Sequence, residues 1–258
     1  MSNKSSKIIM IHSYKGGTGK TSIAINLARY FARKQEKKVL LIEQDTGGPS
    51  FSNIFQTKPK KYWNDFYSKQ KPLKDLIIPL DHFDTIFATA EEIKMPRGES
   101  PKTFYTRQLE RLNYQKKWLK RNYDFVILDT RPGYTIELLN SIMIADLAIL
   151  IARIDSDTVK KTIKMYNQVY SQFKSKSIIL VQNQVPSPVP KYSNEQLDLD
   201  IENALKTWES FTSDKQLITI PLKNEIAYLL SRSKLVPLDS LFMDYIQEIT
   251  ELIEENSS

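Results

Sequence analysis

The sequence predicts an α/β fold, a mostly parallel central sheet flanked by helices on both faces, and three observations predict it. Apolar runs of strand length recur at 8–11, 39–42, 125–128, 147–151 and 178–181, near-continuous rather than alternating, as strands covered on both faces read. Stretches of helical spacing separate them, which leads to parallel strands joined by right-handed crossovers. The first run passes through a glycine-rich turn directly into a helical pattern at 23–31, the local context that a phosphate-binding loop requires.

In that turn Lys15, Gly16, Gly17, Thr18, Gly19, Lys20, Thr21 and Ser22 follow one another. The three glycines let consecutive backbone N–H groups curl inward toward phosphate oxygens. The helix behind them presents its positive N-terminal end to the same anion. Lys20 is placed to reach the β and γ phosphates, and the Thr21 hydroxyl to hold Mg²⁺. Tyr14 stands where the pattern G-x-x-x-x-G-K-[ST] has its first glycine, so the motif met is K-G-G-x-G-K-T with a second lysine, Lys15, in front.

A chain of 258 residues is long enough for one large α/β domain, expected over 1–258 with a polar lead-in at 1–6. No apolar run approaches the ~20 residues that cross a bilayer, and no cleavage region of a signal peptide follows residue 11. The absence of cysteine excludes disulfides and thiolate metal sites and fits a cytoplasmic protein. A formal charge of +7 favours an anionic partner beyond a nucleotide.

Taken in order, a helix is expected over 20–35 and a strand over 37–42, which ends at Glu43, Gln44, Asp45 and a Gly47-Gly48-Pro49 turn. A carboxylate at the carboxyl end of a buried strand lies where α/β sheets bind ligands. Residues 58–74 interleave lysines with Tyr62, Trp63, Phe66 and Tyr67. That pattern suits either a nucleic-acid grip or a solvated helix with inward aromatics, and the second reading is favoured. A short helix is expected at 73–78, a strand at 83–90, and a helix at 102–121 with a basic end at Lys116, Lys117, Lys120 and Arg121. The run 123–129 ends in Asp129, a Walker B pattern whose carboxylate holds Mg²⁺ through water. A strand at 146–151, a helix at 156–173 and a strand at 177–185 follow. Pro186, Pro188 and Pro190 mark a loop, then a helix near 194–210 and a strand at 217–221 close the pattern.

Together, K-G-G-x-G-K-T, the carboxylates after the second strand and D-T-R-P-G at 129–133 resemble the deviant Walker A ATPases of the ParA/MinD family, a P-loop NTPase fold. The resemblance covers nearly the whole chain and is weakest over 51–80. The family carries D-x-D where this chain has Glu43 and Asp45. The resemblance therefore implies that Asp45 orients the attacking water and contacts Mg²⁺ through water, whereas Glu43 is a departure. Arg131 replaces the first proline of D-T-P-P-G, which either loosens that switch or adds a charge to a dimer face. L-V-x-N-x-V at 180–185 implies that Asn183 reads the adenine edge, and Pro221 matches the family's I-P segment beside the base. Family members with an iron–sulfur cluster, such as the nitrogenase iron protein, are excluded by the missing cysteines.

The resemblance implies ATP and Mg²⁺ as cofactors, an ATP-bound homodimer in which Lys15 crosses to the partner's phosphates, and slow hydrolysis until a partner protein stimulates it. Three outputs compete. One is ParA-like binding to non-specific double-stranded DNA, which places the protein on the nucleoid and moves a cargo. Another is MinD-like positioning on a membrane, and the third is an assembly or regulatory switch for a protein client. The tail at 238–254 bears on the second. Its apolar stripe is backed by Asp239, Asp244, Glu248, Glu251 and Glu254, with no basic residue after Lys234. Anionic lipid would repel such a face, so a helix packed on the body is expected.

Overall fold

The computed structural model describes residues 6–68, 70–91, 93–95, 97–173, 177–186, 195–212 and 216–256. Its strands are β1 (Lys7–His12), β2 (Val39–Glu43), β3 (Ile78–Pro79), β4 (Asp84–Ile86), β5 (Phe125–Asp129), β6 (Leu147–Arg153), β7 (Ser177–Val185) and β8 (Gln216–Pro221). They form one sheet in the order β3-β4-β2-β5-β1-β6-β7-β8. Every ladder is parallel except the edge pair β3–β4. The helices are α1 (Lys20–Lys34), α2 (Phe51–Ile54), α3 (Trp63–Ser68), α4 (Pro101–Asn122), α5 (Ile136–Ile144), α6 (Ser156–Gln168), α7 (Glu195–Thr212), α8 (Asn224–Ser231) and α9 (Phe242–Glu255).

Strand alternation divides the apolar residues between two cores. Ile8, Met10, Leu40, Ile42, Val126 and Leu128 face one way, toward Trp63, Leu112, Leu138 and Trp208. Ile9, Ile11, Leu41 and Ile127 face the other way, toward Ile23, Leu27 and Phe31 of α1 and Ile246, Ile249 and Ile253 of α9. Because both faces are covered, β1, β2 and β5 are buried along their whole length, which is why they read as unbroken apolar runs. α9 lies on α1 and β8 with its stripe in this second core, leaving Asp244, Glu248, Glu251 and Glu254 exposed. No helix among the described residues is long and apolar enough to cross a membrane.

Several elements differ from expectation for identifiable reasons. The strand expected over 83–90 stops at Ile86, because side chains capture the following N–H groups: Ala88 donates to Glu43 Oε2 at 2.9 Å and Thr89 to Asn64 Oδ1 at 3.0 Å. The helix expected at 73–78 is a 3₁₀ turn at Leu73–Leu76 that runs into β3, where Pro79 is tolerated at the sheet edge. α6 ends at Gln168 and a separate 3₁₀ turn covers Tyr170–Gln172. α5, capped by the Thr135 hydroxyl accepting from Leu138 N, is an element the sequence pattern did not reveal. The aromatics at 63–67 turn inward, with Trp63 stacked on Phe66 at 5.4 Å, so the favoured reading of that stretch holds. The basic end of α4 is partly neutralised, since Lys116 and Lys120 both pair with Asp146, at 3.5 and 2.8 Å. The polar lead-in at 1–5, Pro188, Pro190 and the start of the helix expected at 194 lie outside the described residues.

Candidate nucleotide site

Sheet register brings the site together. Ile11 and Glu43 both align with Asp129, so the carboxyl ends of β1, β2 and β5 lie side by side. Ligands bind at that edge of an open α/β sheet. The glycine-rich loop leaves β1 and enters α1 through Gly17 and Gly19, whose φ angles are +73° and +92°. Two backbone bonds tie the loop to the segment after β5: Thr130 N donates to Ile11 O at 3.2 Å and Gly133 N to Ser13 O at 3.0 Å. The Tyr14 ring, in place of the pattern's first glycine, meets Tyr134 edge-on at 5.9 Å. The loop and the post-β5 segment are therefore one hydrogen-bonded and packed unit.

Lys20 and Thr21 open α1, with Lys20 buried under the loop. The Thr21 hydroxyl donates to Asp129 Oδ2 at 2.8 Å, and Asp129 Oδ1 is buried with no hydrogen-bond partner. Burial raises the Asp129 pKa to about 7, against the pull of Lys20 and the Thr21 hydrogen bond, with Glu43 and Asp45 pushing it further up. An unpartnered carboxylate oxygen beside a threonine hydroxyl is an all-oxygen donor set, and it fits Mg²⁺.

The two carboxylates after β2 divide their roles. Glu43 is 1% exposed and acts as an anchor. Its Oε1 accepts from Ser50 N at 2.5 Å and Phe51 N at 2.9 Å, and its Oε2 from Ala88 N at 2.9 Å. Desolvation raises its pKa while these N–H groups lower it. The longer side chain thus pins the loop 44–50 to the start of α2 and to the exit of β4. Asp45 Oδ1 accepts from Gly47 N and Gly48 N, both at 3.1 Å, forming an Asx turn. The turn reading of Asp45 is thus realised through one oxygen, and its charge still reaches Asp129.

On the far side, Asn183 at the end of β7 donates from Nδ2 to Thr18 O at 2.8 Å. It shares a cleft with Gly19, Ser22, Pro221, Ile226 and Phe242. Four of the expected nucleotide contacts thus line one cleft against the loop, although the Asn183 amide nitrogen is already committed to the loop backbone. Lys15 does not point at this centre. Its ammonium pairs with Asp157 and lies 3.8 Å from Asp155, at the start of α6. Arg131 spreads its guanidinium over Gly47, where an added Cβ would meet Nε at 3.0 Å, and so bridges the loops after β2 and β5.

One residue of the site has no role in the sequence reading. His12, the last residue of β1, is fully buried with Nδ1 2.8 Å from the Thr130 hydroxyl. That hydroxyl donates onward to Ile11 O at 2.8 Å, so the imidazole Nδ1–H is the donor to it. Burial and the neighbouring Lys20 lower the His12 pKa to about 3, which keeps the ring neutral. A polar residue directly after the apolar run at 8–11, next to the loop, was the available signal.

Comparison with known proteins bears on the family and the fold. Residues 6–179 match the family model AAA_31, described as an AAA domain. The chain belongs to the ParA/MinD family of P-loop ATPases. Chromosome-partitioning ATPase Soj of Thermus thermophilus is 30% identical over 138 residues, 54% of this chain and 51% of the relative. Chromosome partitioning protein ParA of Myxococcus xanthus is 29% identical over 153 residues, 54% of this chain and 50% of the relative. An ATP-binding protein of Methanocaldococcus jannaschii is 37% identical over 82 residues, 31% of each chain. The chain thus spans about half or less of the length of these relatives. Among solved structures, Mg-ADP-bound MinD of Pyrococcus horikoshii superposes with a TM-score of 0.71 at 20% identity, covering 97% of this chain and 98% of that one. The ATP complex of a Cyanothece McdA variant gives 0.75 at 18% identity, covering 97% and 96%. These two likenesses show a shared fold.

Proposed function

We propose that this ParA/MinD-family protein hydrolyses ATP with Mg²⁺ as a slow nucleotide switch that dimerises when ATP is bound, and that the dimer binds DNA non-specifically to partition or position a cargo. The observation that carries the catalytic half is the Thr21–Asp129 pair with its unpartnered Oδ1, set beside buried Lys20 at the mouth of the glycine loop. In this reading the N–H groups of 16–22 and Lys20 hold the triphosphate. Thr21 would hold Mg²⁺ directly and Asp129 and Asp45 would hold it through water, and the ion would supply charge that neutralises the phosphates. Asp45 keeps its turn through Oδ1 and uses Oδ2 to orient the attacking water. Water adds to the γ-phosphorus as the bond to the β–γ bridging oxygen breaks, giving ADP and phosphate. Asn183 and Pro221 border the base.

Support for a dimer comes from the surface. Tyr134, Ile136, Leu139 and Met143 are 40–48% exposed directly after the 129–133 segment. An apolar stripe there, next to Lys15 and Arg131, suits a face that a second ATP-bound copy covers. Support for DNA comes from the +7 charge and from the partition proteins among the relatives. The reading places the protein in the cytoplasm, on the nucleoid. A membrane output is disfavoured because the α9 stripe is occupied by the core.

Phosphate release should require Mg²⁺ and fall at least about 100-fold in Lys20→Ala. Binding to random-sequence duplex DNA, measured with ATP, ADP and no nucleotide, tests the output. Salt-sensitive binding only with ATP, lost in Lys15→Ala, supports DNA partitioning. ATP-dependent dimers that bind no DNA would overturn that half and leave a protein client as the output.

A further inference from the structure

Arg131 stands where the family's pattern has a proline, and no step of the proposed hydrolysis uses it. Its backbone is fixed on both sides. Thr130 N donates to Ile11 O at 3.2 Å and Gly133 N to Ser13 O at 3.0 Å, and Pro132 holds the residue before it in extended backbone. The side chain therefore leaves the segment after β5 in a set direction, and it crosses to the loop after β2. A Cβ added to Gly47 would have as its three nearest neighbours Arg131 Nε, Cζ and Nη2, at 3.0, 3.1 and 3.2 Å. Near-equal distances to three atoms of one plane put the flat face of the guanidinium on the glycine, not its N–H edge. Among the described residues the Arg131 side chain forms no hydrogen bond or ion pair. Packing of a planar face on backbone, rather than charge, is what holds it there.

The contact falls where the loop has little else to hold it. Gln44 N donates to Asp129 O at 2.9 Å, and beyond that bond no backbone hydrogen bond joins 45–48 to 130–133 among the described residues. Gly47 and Gly48 at the tip are exposed, and both their N–H groups donate to Asp45 Oδ1 at 3.1 Å. Asp45 and the tip are thus one hydrogen-bonded unit, and the Arg131 face lies across it. Gly47 is not among the glycines with positive φ. The close approach of Arg131, not the backbone conformation, is what calls for glycine here. A proline at 131 would be too short to make this contact.

We propose that Arg131 is a positioning residue for Asp45. Its guanidinium clamps the turn 45–48 against the segment after β5, so that Asp45 Oδ2 stays aimed at the attacking water. This role rests on the ATPase reading. It acts on the rate of hydrolysis and not on ATP affinity, because neither Arg131 nor Gly47 belongs to the glycine loop or lines the base cleft.

The test is steady-state ATP hydrolysis with Mg²⁺ by the full-length protein and by Arg131→Lys, Gly47→Ala and the double variant. Arg131→Lys keeps the charge and loses the flat face, whereas Gly47→Ala pushes the face away from an unchanged arginine. Each is expected to lower kcat about tenfold at an unchanged KM for ATP, as displacement of a water-orienting group should. The double variant should lose no more than the larger single loss, because the alanine meets no guanidinium once the face is gone. Wild-type kcat in Arg131→Lys, or losses that multiply in the double variant, would overturn the proposal. A raised KM with kcat unchanged would also overturn it, by placing Arg131 on the bound nucleotide. Amide hydrogen exchange of the nucleotide-free proteins reads the clamp without hydrolysis. The Gly47 and Gly48 N–H groups should exchange about tenfold faster in Arg131→Lys, and unchanged exchange overturns the clamp. A wild-type protein that hydrolyses no ATP fails the ATPase reading instead, and exchange then decides the clamp alone.

Discussion

Lys15 is turned back onto its own chain, its ammonium paired with Asp157 in the first turn of α6 and Asp155 3.8 Å away. Asp157 raises the Lys15 pKa and Lys15 lowers that of Asp157, so the pair is mutual and charged at neutral pH. If Lys15 reaches a partner's phosphates, it must first leave this carboxylate. Asp157→Asn is therefore expected to favour ATP-dependent dimers. Because the pair is exposed and screened by salt, the gain should be small, about two- to fivefold in the dimer dissociation constant. Sedimentation with ATP at low and at high salt checks it. An unchanged or weaker dimer at low salt would mean that the pair does not restrain Lys15.

Glu43 predicts a stability effect. One carboxylate accepts from three backbone N–H groups that belong to two separate segments, 50–51 and 88. Glu43→Asp shortens the side chain, so it cannot reach both segments from the end of β2. A loss of about 2–4 kcal/mol is expected from the N–H groups left unpaired in a buried place. Glu43→Gln keeps the length but puts a donor where only acceptors fit, and it should fall between wild type and Glu43→Asp. Urea unfolding of the three proteins orders them.

His12 and Asp129 oppose one another in pH dependence. His12 has a folded pKa of about 3 against an ordinary 6.5, so the unfolded chain takes up its proton first and stability falls as pH drops from 6.5 toward 3. Asp129 has a folded pKa of about 7 against 3.8, so the folded chain takes up its proton first and stability rises as pH drops from 7 toward 4. Between about pH 4.5 and 6.5 the two slopes, each approaching 1.4 kcal/mol per pH unit, largely cancel. Metal- and nucleotide-free Asp129→Asn should lose stability on acidification more steeply than wild type, and His12→Asn less steeply. Urea unfolding at about pH 5 and about pH 6.5 measures the difference. Parallel curves for the three proteins would refute the assignment.

What could be read from the chain was local. Strand, glycine turn and helix are contiguous, so the phosphate loop, Lys20 and Thr21 were visible, and unbroken apolar runs announced strands covered on both faces. Glu43 was visible only as a departure, because its three partners lie seven, eight and 45 residues away. The strand after 83 read too long for the same reason, since side chains from distant segments take its N–H groups. α5 went unseen: its nine residues are largely apolar with a weak polar face, and its cap at Thr135 follows closely on a glycine. Nothing in the sequence pattern of α4 singles out Gln108, and only packing reveals that it is buried with both amide atoms unpartnered.

Gly19 and Asn183 couple the phosphate loop to the base cleft, and a double-mutant cycle exposes the coupling. Gly19 holds φ at +92°, and a Cβ there would collide with Asn183 Nδ2. Gly19→Ala therefore carries two penalties: a left-handed backbone worth about 1–2 kcal/mol in a residue with a side chain, and a collision that displaces the amide from Thr18 O. Asn183→Ala alone forfeits that hydrogen bond, about 1 kcal/mol. In the double variant the collision disappears, so its loss of stability should be smaller than the sum of the single losses by about 1 kcal/mol or more. Additive losses would mean that the loop can move away from Asn183 without strain. Nucleotide affinity should not recover in the double variant, because the backbone penalty at Gly19 persists where the N–H groups must converge. Thermal unfolding and nucleotide titration of the same four proteins separate the two effects.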